Sequence, residues 1–495
     1  MKRLMFPMIA ALSLSACVVG PDYARPSVAP RASGPLAEAA RAPLASAPAS
    51  PLPDRWWRLY DDPVLDRLVA EALAHNTDIR VAAANLQRAR AVLAEQRGQR
   101  LPTITPNAQV TRNQFNSASA AAFGGGGAGG GGPQTFVVNL FDLGIDASYE
   151  LDLFGGISRA IEAGRGDAEA AAATLDAARV SVAAETARAY ATACSNAAQA
   201  AVAQETVDLQ QKTLGLTQTL FDAGRGTRRD VERADVLLAQ TQAQLPLLDA
   251  EKRAALYALA TLTGRPPAEV DADASRCSAA PRVTTTIPTG DGAALLARRP
   301  DVRSAERTLA ADTARIGVAV SALYPSIRLA GSIGLNATRG SQLFKATSAT
   351  YSLGPLISWN FPNQTAARAQ IAQARAGADA SLARFDGAVL TALREAETAL
   401  ARYAGALDRN AALVRAEQAS SKAAALSRLR FDSGADSFLQ LIEAERERAD
   451  TRAACAASDA AVADAQITLF KALGGGWEEA PDPVRRPDPA QSPTP

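Results

Sequence analysis

Between residues 156 and 221 the chain runs without a proline, and between 364 and 431 it does so again. Alanine, glutamate, arginine, glutamine and leucine dominate both stretches, so nothing in them stops a helix. At 1.5 Å per residue a helix of that length would reach roughly 100 Å, whereas helices of globular proteins average about 12 residues. Two such rods argue against a compact globular domain and for coiled-coil packing. Apolar residues recur at helical spacing, as at Leu382, Phe385, Val389, Leu393, Leu400 and Tyr403, and alanine in the remaining seam positions permits close approach. A run over 231–262, kinked at Pro246, and another over 438–473 would pack back against the rods. Aromatic residues make up only 5% of the chain, which suits thin helical walls better than a broad core.

The chain is also written twice. Asn76-Thr77-Asp78-Ile79-Arg80 matches Arg299-Pro300-Asp301-Val302-Arg303. The Ala-rich stretch after each ends in Leu101-Pro102-Thr103-Ile104 or Tyr324-Pro325-Ser326-Ile327, an offset of 223 at both ends. Further on, Phe221-Asp222-Ala223-Gly224 matches Phe431-Asp432-Ser433-Gly434 at an offset of 210, shared by Leu262-Thr263-Gly264 with Ala472-Leu473-Gly474 and by Glu185 with Glu395. Constant offsets within two blocks mark an internal repeat. The first half is 13 residues longer between the blocks, and the glycine-rich stretch 124–132 accounts for much of that as a flexible loop insertion. It contains G-x-G-x-x-G trivially, outside any strand-to-helix setting, and no G-x-x-x-x-G-K-[ST] occurs, so nucleotide binding is not expected.

Four segments alternate with period two. Ile104, Pro106, Ala108 and Val110 alternate with Thr103, Thr105, Asn107 and Gln109. Leu143, Ile145, Ala147, Tyr149, Leu151 and Leu153 stand against Asp142, Asp146, Ser148, Glu150 and Asp152. In the second half Ile327, Leu329, Ile333 and Leu335 oppose Arg328, Ser332 and Asn336, and Tyr351, Leu353, Ile357, Trp359 and Phe361 oppose Ser352, Ser358 and Asn360. A half-buried sheet of a soluble domain alternates in the same way. The acidic row and the aromatics near one end, Tyr149, Trp359 and Phe361, favour barrel strands with one lipid face and one wet face. Four strands cannot close a barrel, for which eight is about the minimum, so copies must pool their strands. Three copies would give twelve.

The N-terminus specifies a compartment. Met1-Lys2-Arg3 precedes an apolar stretch too short to span a bilayer, ending in Leu14-Ser15-Ala16-Cys17, which resembles a bacterial lipobox. Cys17 would then carry diacylglycerol and an N-acyl chain, and Val18 after it, where an inner-membrane retention signal has Asp, points to the outer membrane. No later segment holds 18 consecutive apolar residues, so any membrane crossing must be a closed barrel. Lys and Arg number 52 against 51 Asp and Glu, which argues against a nucleic-acid partner. His75 is the only histidine and the cysteines at 17, 194, 277 and 455 lack C-x-x-C spacing, so no catalytic constellation and no metal site is expected. One disulfide among Cys194, Cys277 and Cys455 is possible; the sequence does not say which.

Together these features resemble the TolC-type outer-membrane factors of tripartite efflux pumps, in particular the lipoproteins that serve resistance-nodulation-division transporters. The resemblance extends from Cys17-Val18-Val19-Gly20-Pro21-Asp22-Tyr23 to about Gly474 and includes Trp56-Trp57, Asn76-Thr77-Asp78, Arg299-Pro300-Asp301, Tyr324-Pro325 and two helix turns. It implies an α+β fold: a trimeric 12-stranded outer-membrane β-barrel, four strands per protomer, continued into the periplasm by a long α-helical coiled-coil barrel, with internal duplication. The expected divisions are a signal peptide at 1–16, a lipidated tether at 17–55, a first repeat at 56–263 and an inter-repeat linker at 264–290. A second repeat at 291–473 and a disordered Pro-rich tail at 474–495 follow. The implied function is a passive duct exporting small molecules, with no cofactor beyond the lipid. Its partners are two further copies, a periplasmic adaptor (membrane fusion protein), an inner-membrane transporter and outer-membrane lipid. The alternative is a periplasmic adaptor lipoprotein, which would have one helical hairpin where this chain has two.

The two turns fit aromatic-x-x-Gly-x-x-Ser/Thr: Phe221-Asp222-Ala223-Gly224-Arg225-Gly226-Thr227 and Phe431-Asp432-Ser433-Gly434-Ala435-Asp436-Ser437. Glycine can take the positive φ that ends a helix, and Thr or Ser can cap the next. Such residues suit any helical hairpin. The resemblance adds that Ala223, Gly224 and Arg225, with Ser433, Gly434 and Ala435, dock the adaptor. It also implies a gate just past the second turn, a Leu and an acidic residue, here Leu439 and Glu443; glutamate replaces the aspartate common in the family. Their i, i+4 spacing puts both on one helix face.

Overall fold

The computed structural model describes residues 18–39, 45–46, 52–116 and 135–483. The repeat is visible in the element order. The first half runs α1 (Pro63–His75), α2 (Thr77–Gly98), β1 (Thr103–Asn116), β2 (Thr135–Leu151), α3 (Gly156–Asp222), α4 (Arg228–Gln242) and α5 (Leu245–Leu262). The second runs α6 (Gly292–Arg298), α7 (Pro300–Ser321), β3 (Ser326–Ala337), β4 (Ala349–Ser358), α8 (Thr365–Asp432) and α9 (Phe438–Leu473). The two proline-free stretches are single helices of 67 and 68 residues. Opposite α3 the return is made of two helices, α4 and α5. Pro246 lies in the first turn of α5. Its missing N–H and the clash of its ring with the carbonyl four residues back, that of Gln242, end α4 there.

Contacts divide the chain into two units, one of Met1–Arg25, Arg88–Ala168 and Arg307–Leu382, the other of Pro26–Gln87, Glu169–Glu306 and Ala383–Pro495. The first holds the sheet, an antiparallel meander in the order β1-β2-β3-β4. Its register places Ala108 opposite Leu143, Leu143 opposite Leu335, Pro106 opposite Ile145, Ile145 opposite Ile333, and Ile333 opposite Tyr351. Directly paired residues share a face, so the apolar sets of all four strands fall on one side. That face is bare: Val110 is 69% exposed, Ile333 65% and Tyr351 87%. The other face is a hydrogen-bonded polar surface. Asn107 donates to Asp146 at 3.0 Å, Arg328 meets Glu150 at 3.1 Å, and Ser332 and Ser352 share a hydrogen bond at 2.8 Å. Among the described residues, the outer edges of β1 and β4 are unpaired.

The strands depart from their expected ends. The first reaches Asn116, and the fourth stops at Ser358. Trp359 and Phe361 lie past it, half or more exposed, with rings stacked 4.7 Å apart, and the Trp359 indole donates to the Leu323 carbonyl. Leu153 and Asp152 also fall outside the second strand. Asp152 instead accepts the N–H groups of Ile157 and Ser158 at the start of α3, where a carboxylate offsets the helix dipole.

The second unit carries the main core. Trp56 is fully buried and stacks on Phe470 at 4.7 Å, with Tyr60 edge-on. Leu65, Leu68, Leu73, Leu259, Leu400 and Tyr403 complete it. A disulfide joins Cys194 in α3 to Cys277 in the inter-repeat segment, and Cys455 is free. The same segment is held by charge. Arg67 of α1 meets Asp271 at 2.8 Å, and the Ala274 and Asp273 N–H groups donate to that carboxylate. The guanidinium hydrogen bond outweighs burial and holds Asp271 down to about 2.

The tether expected at 17–55 and the tail expected at 474–495 are folded where they are described. In the first unit Val19 donates to the Phe154 carbonyl, and buried Arg159 binds the carbonyls of Val19 and Gly20 and the Asp22 carboxylate. A Cβ at Gly20 would run into the Gly317 backbone, and one at Gly317 would meet the Arg159 side chain. In the second unit Pro30–Ser33 forms one helical turn, Ala37 and Glu38 donate to Glu397, and Ala45–Ser46 pairs in parallel with Ile287–Pro288. At the other terminus the Asp54 carboxylate accepts four successive N–H groups, from Gly476 to Glu479, and Arg303 lies over the Trp477 ring. These bonds join residues hundreds of positions apart, which composition does not register. Cys17, the stretch 1–16, the glycine-rich loop 124–132 and residues 484–495 lie outside the described residues.

Candidate gate and docking turns

Both helical hairpins end in the same backbone construction. Gly224 has φ +70° and Gly434 φ +78°, values at which an L side chain is strained. Gly224 donates to the Phe221 carbonyl and Arg225 to that of Leu220; Gly434 donates to Phe431 and Ala435 to Arg430. These paired bonds satisfy carbonyls that the helix end would leave free. The next helix opens on a reciprocal cap, Thr227 with Asp230 in the first turn and Ser437 with Gln440 in the second. Ala223, Gly224, Arg225, Ser433, Gly434 and Ala435 are all exposed, and a Cβ at either glycine would touch nothing within 4 Å.

The turns differ in charge. Arg430 is clasped to Asp436 across the second turn at 2.8 Å. In the first, Arg228 reaches forward along α4 to Glu232 at 2.7 Å.

Past the second turn α9 has two faces. Leu439 is 43% exposed and Glu443 is exposed beside it, as their spacing predicts. The opposite face turns inward at Leu441 and Glu445, both buried. Glu445 is a residue that sequence reasoning missed. Its carboxylate accepts from Arg428 of α8 at 3.0 Å, and its other oxygen lies 2.8 Å from Arg448, an ion pair without hydrogen-bond alignment. Arg428 also donates to the Thr213 hydroxyl of α3 at 2.8 Å. One guanidinium therefore ties both helices of the second hairpin to the first. Arg448 stands three residues from Glu445 and was findable by helical spacing; Arg428 and Thr213 come from other helices and carried no local signal.

A four-stranded sheet with one bare apolar face, built into a protein whose other half is long paired helices, defines a membrane channel component that crosses as β-structure. Among the described residues no helix is long and apolar enough to cross a membrane. The outer membrane efflux protein family matches the chain twice, at residues 68–265 and 293–475. The chain is 29% identical over 467 residues to nodulation protein T of Rhizobium leguminosarum bv. trifolii, spanning 94% of this chain and 96% of that protein. It is 29% identical over 485 residues to the solvent efflux pump outer membrane protein SrpC of Pseudomonas putida, spanning 96% and 99%. Among solved structures, the outer-membrane channel OprN aligns with a TM-score of 0.86 at 37% identity, over 93% of this chain and 100% of that one. The open state of the Neisseria gonorrhoeae MtrE outer membrane channel gives 0.80 at 28% identity, over 95% and 100%. The chain belongs to the outer membrane efflux protein family. It has the TolC-like fold, and it is an outer-membrane channel of an efflux pump rather than an enzyme or an adaptor.

Proposed function

We propose that three copies of this chain close a 12-stranded barrel and a continuous helical duct, through which small molecules, of the kinds named for its relatives (solvents, toluene, pyoverdine), leave the cell. The observation that carries the assembly is the sheet itself. Among the described residues its apolar face is bare and both its edges are unpaired, and an isolated open sheet cannot sit in hydrocarbon. Pairing β4 of one copy with β1 of the next satisfies both edges and leaves the polar face lining the lumen. The duct is passive, and energy comes from an inner-membrane resistance-nodulation-division transporter through a periplasmic adaptor. In this reading the exposed turns around Gly224 and Gly434 meet the adaptor's helical hairpin, and a triple set of Leu439 and Glu443 narrows the periplasmic end. Cys17 carries the lipid anchor.

The test is purification from outer-membrane fractions and reconstitution into planar bilayers. A heat-modifiable trimer that conducts ions supports the reading, and a soluble periplasmic monomer overturns it.

A further inference from the structure

The loop end of the sheet, where β1 joins β2 and β3 joins β4, carries an unusual balance of charge. Arg112, Arg339 and Lys345 lie there, all exposed. The sequence from 110 to 141 and from 337 to 349 contains no Asp or Glu at all. No acidic side chain pairs with any of the three among the described residues. At the opposite end charges are matched, as in the Arg328–Glu150 pair.

The two arginines are also placed on a particular side. Arg112 continues the parity of Ile104, Pro106, Ala108 and Val110, so it stands on the apolar face, one step past Val110. Val110 pairs with Phe141 and Phe141 with Ala337, so Arg339, two residues after Ala337, comes at the level of Arg112. Gly340 beside it lies against the Phe141 ring, which belongs to the apolar face. Phe344, next to Lys345, is 79% exposed. Arg112 and Arg339 thus cap the band of the sheet that faces hydrocarbon, with Lys345 and the exposed Phe344 in the adjoining β3–β4 connection, at the height where a bilayer gives way to headgroups.

We propose that this rim is a binding surface for the phosphate groups of membrane lipid, with Arg112, Arg339 and Lys345 as the ligating side chains and Phe344 seated among the acyl–headgroup boundary. The arginines offer paired N–H donors that match phosphate oxygens, and the long apolar stems lie along the sheet while the heads reach the headgroup layer. Against an anionic surface three such residues together strengthen lipid association by about a hundredfold. The assignment rests on the channel reading for one point only, that the apolar face lies in a bilayer.

The full-length protein, reconstituted in phosphatidylcholine vesicles with and without bisphosphorylated lipid A, is extracted with its bound lipid, which is counted by native mass spectrometry. Wild type should enrich bisphosphorylated lipid A over phosphatidylcholine, and R112Q/R339Q/K345Q should lose that enrichment at least tenfold. R112K/R339K should keep most of it. Enrichment unchanged in the triple variant, or equal for dephosphorylated lipid A, overturns the proposal. Conductance of the same preparations in neutral bilayers separates the two readings. A wild type that conducts but does not enrich the phosphorylated lipid sinks the rim site and leaves the channel, whereas a preparation that never conducts sinks the channel.

Discussion

Arg428 and Glu445, 17 positions apart on either side of the second turn, meet at 3.0 Å with the carboxylate side chain only 5% exposed. A buried carboxylate is tolerated because two guanidinium groups neutralise it, and removing one member leaves uncompensated charge in the helical wall. Glu445→Ala should therefore destabilise the protein by about 3 kcal/mol, seen as a lower thermal midpoint. The double variant Arg428→Met with Glu445→Met should recover most of the loss, since an apolar pair of similar volume replaces the ion pair. A single variant as stable as wild type would show that the contact carries no net energy.

The gate assignment makes a separate demand. Leu439 and Glu443 are exposed in the single chain, so truncating them removes little packing. Leu439→Ala with Glu443→Ala should leave the melting curve within about 0.5 kcal/mol of wild type, as surface changes usually do. It should also raise single-channel conductance. Unchanged conductance would reduce the two residues to an ordinary helix surface.

At the turns the question is whether glycine serves only the backbone. Asparagine accepts left-handed φ better than other residues, and a side chain at Gly224 or Gly434 meets no neighbouring atom. Gly434→Asn should thus fold and assemble normally while presenting a new side chain at the tip. If the tip docks a partner, export measured as antibiotic or solvent susceptibility falls in this variant. Full export with Asn would mean that the glycine serves turn geometry alone.

Acid stability should carry the mark of Asp271. Its carboxyl is held down to about 2, below the ordinary value of an unfolded chain. The folded state therefore gains stability above about pH 4, and that gain disappears as the pH falls from about 4 toward 2. Arg67 is 43% exposed, and with solvent screening the contribution comes to about 1 kcal/mol. Asp271→Asn should lower the melting point at pH 7 and flatten its fall between pH 4 and 3. Parallel acid limbs for the two proteins would show that Asp271 does not contribute.

Much of this molecule was legible because its signals are periodic. The 3.6-residue rhythm and the missing prolines located α3 and α8 to within a residue or so, and the alternation around Ile145 and Ile333 assigned each side chain its face. The turns were readable from Gly224 and Gly434 because left-handed φ has so few occupants. What escaped was carried by bonds between distant residues. Nothing near Asp54 announces four N–H donors from 476–479, nothing near Cys194 names Cys277, and Arg428 is tied to Glu445 across a turn. Terminal segments read as tether and tail from their prolines, and parts of both are pinned by such bonds. Trp359 and Phe361 kept the rhythm of a strand that had already ended, since alternation cannot signal where hydrogen bonding stops.

The strand pairing also says what kinds of mutation this lineage can survive. Because the alternating apolar sets of β1 to β4 share one side, the strands have parity. An insertion of two residues lengthens them, and an insertion of one turns every following side chain to the wrong solvent. The two halves differ by 13 residues between their matched blocks, an odd number that a strand interior cannot take without turning over the side chains that follow, and that strand ends and loops can. The sheet fixes not only a surface but a grammar of permissible change, in which loops count in ones and strands count in twos.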